Sequence, residues 1–146
     1  MNETAREKDI LLAEDDNDDV VIFELALKEL NIPYYMRHAV NGDKLFVLLK
    51  EKMPYILFLD VHLPYRNGVS CITDIRQNRE YDKLPVIMYT SDLSDKIIEE
   101  SFRSGANLYV TKTSTFSELT SKLEKVFAMD WQDYLHYPSR EQFVLR

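Results

Sequence analysis

Short, continuous apolar runs recur along the chain and are separated by longer stretches. Four runs are clear and a weaker fifth lies between the first two: Ile10–Ala13, Tyr35–Val40, Ile56–Leu59, Val86–Tyr89 and Leu108–Thr111. A continuous apolar run of this length is typical of a strand covered on both faces, as in a parallel sheet. The pattern therefore predicts five buried parallel strands.

The stretches between these runs carry apolar residues at the spacing of one helix face. The five sets are Val20, Phe23, Leu27 and Leu30; Leu45, Leu48 and Leu49; Val69, Ile72 and Ile75; Ile98 and Phe102; and Leu119, Leu123, Val126 and Phe127. Thr115 and Glu118 have the spacing of a capping box before the last helix, and Gly105 fits the left-handed position after the fourth. Because strand and helix alternate and crossovers are right-handed, we expect an α/β fold, a doubly wound five-stranded parallel sheet with helices on both faces.

Composition narrows the class of protein. The 146 residues include 18 Lys plus Arg and 25 Asp plus Glu, a net charge of −7, which argues against a broad nucleic-acid-binding surface. The single cysteine, Cys71, excludes an internal disulfide and a multi-cysteine metal site. Apolar runs fall short of the roughly 20 residues that span a bilayer, and the polar start, Met1–Lys8, does not resemble a signal peptide. We expect a cytoplasmic, single-domain protein with neither membrane nor nucleic acid as a partner.

Polar residues end four of the five predicted strands. Glu14 and Asp15 follow the first strand, Asp60 the third and Lys112 the fifth, while Thr90 ends the fourth. Ligands of such sheets bind outside the carboxyl ends of the strands, so these side chains should meet at one edge. Carboxylates brought together repel, which a hard divalent cation such as Mg²⁺ relieves. A carboxylate in this position can also attack phosphorus and form an aspartyl phosphate.

The neighbouring acids Asp16, Asp18 and Asp19 have a simpler interpretation. Acidic side chains in the first turn of a helix are stabilised by its dipole, so we interpret these three as solvated turn residues. Each strand-end residue alone also has a structural explanation, but their common orientation at four strand ends favours a site. The chain has no P-loop and no GxGxxG, so neither familiar nucleotide site is predicted.

An ordered set of motifs resembles the receiver domain of two-component response regulators, in its single-domain form. The motifs are Ile10–Asp16, Leu57–Pro64, Asn67-Gly68, Leu84–Ser91, Gly105-Ala106 and Tyr109–Lys112. The resemblance covers about residues 8–128 and implies flavodoxin-like topology with strand order 2-1-3-4-5. Residues 129–146 are then a C-terminal extension, and no separate output domain is expected.

The resemblance also implies a role for the acidic residues. Asp60 would be the phosphoacceptor. Asp15 and Asp60 would be direct ligands of Mg²⁺, and Glu14 would act mainly through water. The backbone carbonyl of His62 would be a further ligand of Mg²⁺. The His62 imidazole would then be free, without a direct role at the site.

The remaining strand-end residues would respond to the phosphoryl group. The resemblance implies that Thr90 and Lys112 bind phosphoryl oxygens and that Tyr109 changes rotamer when Thr90 moves. The family usually has a Lys-Pro pair with a cis peptide after the fifth strand, whereas this chain has Lys112-Thr113. A cis bond without proline costs about 2.5–4 kcal/mol, so this loop is either trans or strained.

We therefore predict a phosphorylation-controlled switch of a two-component system or phosphorelay. A histidine kinase or a histidine phosphotransfer protein would donate the phosphoryl group, and the output partner is unknown. Two alternatives stay open. A phosphatase of the haloacid-dehalogenase type also uses a strand-end Asp, but it needs a second Asp where His62 stands. A receiver-like interaction module that never takes phosphate would be indicated by loss of the acid pair or Lys112, and both are present.

The C-terminal extension is rich in aromatic side chains. Trp131, Tyr134 and Leu135 have helical spacing, so the last helix is predicted to continue through them. These side chains could fold back on their own domain or pack against a second copy. The extension also resembles that of phytochrome-associated single-domain regulators, in which it is used in dimer contacts, and this favours a homodimer.

Overall fold

A computed structural model describes residues 7–112, 115–131 and 137–145. The strands and helices follow one another along the chain as β1 (Lys8–Ala13), α1 (Asn17–Glu29), β2 (Tyr34–Ala39), α2 (Gly42–Glu51), β3 (Ile56–Leu59), α3 (Gly68–Gln77), β4 (Val86–Thr90), α4 (Asp95–Ser104), β5 (Leu108–Thr111), α5 (Phe116–Ala128), α6 (Arg140–Phe143) and β6 (Val144–Leu145). A short 3-10 helix, Arg79–Tyr81, precedes β4. Within the described ranges, none of the helices has the length and apolar character needed to cross a bilayer.

The strands form one parallel sheet in the order β2-β1-β3-β4-β5-β6. The doubly wound fold and the order 2-1-3-4-5 are thereby confirmed. The five-strand prediction missed β6, which pairs with β5 through Tyr109 opposite Val144. Two residues are too few to show any periodicity in a sequence, so this edge strand left no readable signal.

Alternate residues of each central strand enter two cores, one on each face of the sheet. In β1, Ile10 and Leu12 pack on the side of α1 and α5, whereas Leu11 and Ala13 pack on the side of α2, α3 and α4. All four side chains are fully buried. Burial on both faces explains why the strands read as continuous apolar runs and not as alternating ones.

The predicted helix ends are largely confirmed. The Thr115 hydroxyl accepts the Glu118 backbone N–H at 3.2 Å, and Gly105 has the left-handed φ of 106°. The predicted continuation of α5 through Trp131 is wrong, because the chain turns to extended geometry at Met129. Trp131 instead folds back, is 4% exposed and donates its indole N–H to the Val126 carbonyl at 3.0 Å. Tyr134 and Leu135, the other members of that pattern, lie outside the described residues.

Residues 137–145, hereafter the C-terminal segment, return to the edge of the sheet. The segment contains α6 and β6, and its Phe143 side chain is fully buried in the core on the α4 side. Trp131 is buried in the opposite core. The chain therefore covers part of its own C-terminal aromatic area, whereas the homodimer stays a prediction.

Candidate functional site

The carboxyl ends of β1, β3, β4 and β5 bring the predicted residues together. The register pairs Ala13 with Leu59 and Thr90 with Thr111. The residues that follow these pairs therefore lie next to one another at the carboxyl edge of the sheet. The backbone ties the ends together, since the Asp60 N–H donates to the Ala13 carbonyl at 3.0 Å and the Lys112 N–H donates to the Thr90 carbonyl at 2.8 Å.

Three carboxylates form a cluster that fits a divalent cation. One ligand oxygen from each of Glu14, Asp15 and Asp60 can lie within 4.8 Å of the other two. Glu14 and Asp60 are buried, at 1% and 5% exposure, while Asp15 is exposed. A buried pair of acids with one open side offers hard oxygen ligands and leaves room for water, which is the environment that Mg²⁺ prefers.

The raised pKa of Glu14 also supports a cation site. Burial, aided by the charge of Asp60, raises the pKa of the Glu14 carboxyl to about 7, although its hydrogen bond to Lys112 opposes the shift. A nearby positive charge, such as a bound cation, would stabilise the ionised form of this carboxyl. The backbone of Glu14 is also fixed, because its carbonyl lies 2.7 Å from the Nε2 atom of the half-buried His38.

Lys112 is a cation that contacts two members of this cluster, Glu14 and Asp60, and also Asp19. Its Nζ atom lies 2.7 Å from Glu14 Oε1, 3.0 Å from Asp60 Oδ2 and 2.8 Å from Asp19 Oδ2. Burial alone would lower the pKa of Lys112, but the hydrogen bonds to Asp19 and Glu14 and the charge of Asp60 raise it above its ordinary value. The ammonium group is therefore charged and is shared among three carboxylates.

Asp19 was misassigned from the sequence. The acidic run predicts a solvated turn residue at this position, whereas the Asp19 carboxylate accepts a hydrogen bond from Lys112 Nζ. Asp16, from the same acidic run, does act as a helix cap, since its side chain accepts the backbone N–H groups of Asp18 and Asp19. The rotation of α1, which the sequence does not reveal, turns Asp19 towards the end of β5.

The loop after β3 holds Asp60 in place. The His62 backbone N–H donates to Asp60 Oδ1 at 3.2 Å. Gly68, at the start of α3, packs so closely that an added Cβ would lie 2.4 Å from the Asp60 carbonyl oxygen. Glycine is needed here because any side chain would displace the backbone that carries the carboxylate.

The loop after β4 connects Thr90 to Tyr109 through Asp92. The Asp92 backbone N–H donates to Thr90 Oγ1 at 3.3 Å, and the Tyr109 hydroxyl donates to the Asp92 carbonyl at 2.6 Å. The His62 imidazole was expected to have no partner. Its Nε2 atom instead lies 2.7 Å from Asp92 Oδ2. Sequence spacing gave no sign of Asp92. Thr113, on which the question of the cis peptide depends, lies outside the described residues.

Comparisons with known proteins find a consistent set of relatives. A family model described as the response regulator receiver domain matches residues 10–124. Response regulator Rcp1 of Synechocystis is 23% identical over an alignment of 139 residues that covers 90% of this chain and 94% of Rcp1. The peroxide stress-activated histidine kinase mak2 of Schizosaccharomyces pombe is 27% identical over an alignment of 136 residues that covers 88% of this chain. The match spans only 6% of that kinase.

Solved structures share the fold over nearly the whole chain. The Mn²⁺-bound form of Rcp1 superposes with a TM-score of 0.76 at 23% identity, covering 90% of this chain and 99% of that one. The phosphorylated cyanobacterial phytochrome response regulator RcpA gives a TM-score of 0.79 at 22% identity, covering 92% of this chain and all of the other. At these identities the likeness shows the fold.

Proposed function

Because the chain belongs to the response regulator receiver domain family, we propose that it is a two-component signalling switch with Asp60 as its phosphoacceptor. One observation carries the assignment to Asp60. Asp60 is 5% exposed at the end of β3, and its carboxylate lies 3.0 Å from the Lys112 ammonium and beside the acid pair Glu14 and Asp15. This geometry unites a nucleophile with the positive charge and the cation ligands that phosphoryl transfer needs.

The proposed reaction moves a phosphoryl group from a phosphohistidine to Asp60. A carboxylate oxygen attacks phosphorus, the new P–O bond forms as the P–N bond breaks, and the leaving imidazole keeps the electron pair and takes a proton. Lys112 stabilises the negative charge on the phosphoryl oxygens. The histidine kinase named among the relatives supports a histidine kinase, or a phosphotransfer protein, as the donor.

Glu14, Asp15 and Asp60 fit a divalent cation, and we propose that the cation is Mg²⁺. Asp15 and Asp60 would be direct ligands, Glu14 would act mainly through water, and the His62 carbonyl would be a further ligand. The metal supplies charge neutralisation at the phosphoryl group. A relative known in an Mn²⁺-bound form supports a divalent cation site in this fold.

The proposed switch begins at Thr90. With Lys112, its hydroxyl binds the phosphoryl oxygens, and Tyr109 responds because both Thr90 and Tyr109 are hydrogen-bonded to Asp92. The proposal assigns residues 8–128 to the receiver domain and residues 129–146 to a C-terminal extension. The signal then passes to a partner that reads the changed surface.

A small phosphodonor tests this proposal against its alternatives. Incubation with acetyl phosphate and Mg²⁺ should add one phosphoryl group to the intact chain, and excess EDTA should prevent the addition. Steady turnover of a generic phosphomonoester would instead support a phosphatase, although His62 stands where that class needs its second acid. An unmodified chain after prolonged incubation would support the interaction module.

A further inference from the structure

The C-terminal segment occupies the edge of β5 and the side of α4. Its anchor is Phe143, which is fully buried. The Phe143 ring centroid lies 5.2 Å from that of Phe102 on α4 and 5.9 Å from that of Tyr109 on β5. Val144 then pairs with Tyr109 across the parallel β5–β6 ladder. The segment therefore contacts Tyr109 through both a ring and the backbone.

Outside the anchor, an ion pair in the described part of the chain also joins the segment to α4. Arg140 Nε lies 2.8 Å from Glu99 Oε1, and both side chains are about two-fifths exposed. Exposed ion pairs of this kind contribute little free energy. The docking of the segment therefore depends on its apolar contacts and its strand pairing, and Phe143 is the side chain that is fully buried beside Tyr109.

A continuous set of contacts connects this anchor to the phosphorylation site. Thr90 Oγ1 accepts the Asp92 N–H, the Asp92 carbonyl accepts the Tyr109 hydroxyl, and the Tyr109 ring packs on Phe143. Tyr109 and Phe143 are both fully buried in the same hydrophobic core, so a change in the position of Tyr109 changes the packing of Phe143.

We propose that the edge of β5 and the side of α4 form a docking surface, that the C-terminal segment fills it in cis with Phe143 as its anchor, and that phosphorylation tightens this docking. The inference rests on the proposed function, since it takes Asp60 as the phosphoacceptor. It goes beyond that function because it makes the chain's own C-terminal segment a readout of the site.

The direction of the coupling follows from the Thr90 hydroxyl, which can donate one hydrogen bond and accept others. When it donates to a charged phosphoryl oxygen, its own oxygen becomes a better acceptor for the Asp92 N–H, because hydrogen bonds in a chain strengthen one another. That contact is long at 3.3 Å, so it has room to shorten. A fixed Asp92 carbonyl then holds the Tyr109 hydroxyl, and a fixed Tyr109 ring holds Phe143.

Amide hydrogen exchange of the full chain tests the coupling. The phosphoryl mimic is beryllofluoride with Mg²⁺, its binding is followed by ¹⁹F NMR, and exchange is read on peptic fragments that cover residues 138–145. We expect beryllofluoride to slow exchange in this segment by roughly 5-fold or more, the lower end of the coupling typical of linked sites.

Two tyrosine variants show whether the coupling runs through the Tyr109 hydroxyl. Tyr109→Phe keeps the ring that packs on Phe143 but removes the hydroxyl, so the segment should stay docked and its exchange should no longer respond. The matched control is Tyr81→Phe, which removes a hydroxyl from another buried tyrosine and should respond as the wild type does.

Each other outcome contradicts a specific part of the account. If beryllofluoride binds and exchange in residues 138–145 is unchanged or faster, the coupling is wrong while the phosphorylation site stands. An equal slowing in Tyr109→Phe refutes the route through the hydroxyl. A wild-type chain that does not bind beryllofluoride contradicts the proposed function itself, and the inference with it.

Discussion

Lys112 and Asp19 are 93 positions apart in the sequence, yet Lys112 Nζ lies 2.8 Å from Asp19 Oδ2. The same ammonium group contacts Asp60 at 3.0 Å. Asp19 therefore competes with Asp60, and in the proposed function with a phosphoryl group, for one positive charge. This gives α1 a direct influence on the phosphorylation site.

Removing the charge of Asp19 should speed phosphorylation. Asp19→Asn keeps the shape of the side chain but releases Lys112 towards Asp60 and lessens the repulsion of an anionic donor. We expect the rate with acetyl phosphate to rise several-fold, equivalent to about 1 kcal/mol, the upper range for a partly exposed ion pair. Asp18→Asn is the matched control, since it changes the net charge equally at the next residue. Equal rates in the two variants would show that only net charge matters.

Alanine substitutions in the acid cluster should weaken cation binding to different extents. Glu14 is already paired with Lys112, whereas Asp15 is exposed and is the proposed direct ligand. Glu14→Ala should weaken Mg²⁺ binding roughly tenfold, as expected for an outer-sphere partner, and Asp15→Ala should weaken it further. Calorimetric titration measures both affinities, with Asp18→Ala as the control. A larger loss in Glu14→Ala would reverse the assigned roles.

The raised pKa of Glu14 predicts a pH-dependent stability without metal. The carboxyl titrates near its ordinary pKa of 4.5 when unfolded and near 7 when folded, so the folded state binds more protons between these values. Its stabilising contribution is present below pH 4.5 and is lost as the pH rises through 7. In EDTA, Glu14→Gln should become more stable relative to the wild type as the pH rises, by on the order of 1–2 kcal/mol. Urea unfolding across this range measures the difference, and a difference that does not vary with pH would contradict it.

Phe143 should anchor the C-terminal segment energetically. Its side chain is fully buried against Phe102 and Tyr109, so Phe143→Ala should lower the free energy of unfolding by about 3–5 kcal/mol. Gln142→Ala, at an exposed position of the same helical turn, should change it by about 0.5 kcal/mol or less. Denaturant unfolding compares the two. Similar effects in both variants would mean that Phe143 is not docked in solution.

The sequence predicted the features that depend on burial and on topology. Continuous apolar runs such as Ile56–Leu59 identified the central strands, and parallel topology alone placed Asp60 and Lys112 at one edge of the sheet. The misassigned or missed features depend on rotation or on long-range packing. Asp19 looks like any acid at a helix start until the rotation of α1 is known. Asp92 acts through its backbone as well as its side chain, and backbone contacts leave no residue-type signal.

The same distinction explains the error at the C-terminus. The spacing of Trp131, Tyr134 and Leu135 fits a helix, but α5 ends at Ala128. Helical spacing does not require a helix, since Trp131 folds back and donates its indole N–H to the Val126 carbonyl. Phe143, the buried anchor, begins an apolar run of only three residues, Phe143 to Leu145, which is too short to show a period.

The measurement that tests the central claim most directly is the intact mass of the wild type and of Asp60→Asn after incubation with acetyl phosphate and Mg²⁺. The wild type should gain one phosphoryl group, and Asp60→Asn should gain none because an amide is a poor nucleophile and a poor ligand for the cation. Asp74→Asn, a substitution at an exposed acid on α3, should be labelled as the wild type is. Equal labelling of Asp60→Asn would remove Asp60 from the mechanism and contradict the account.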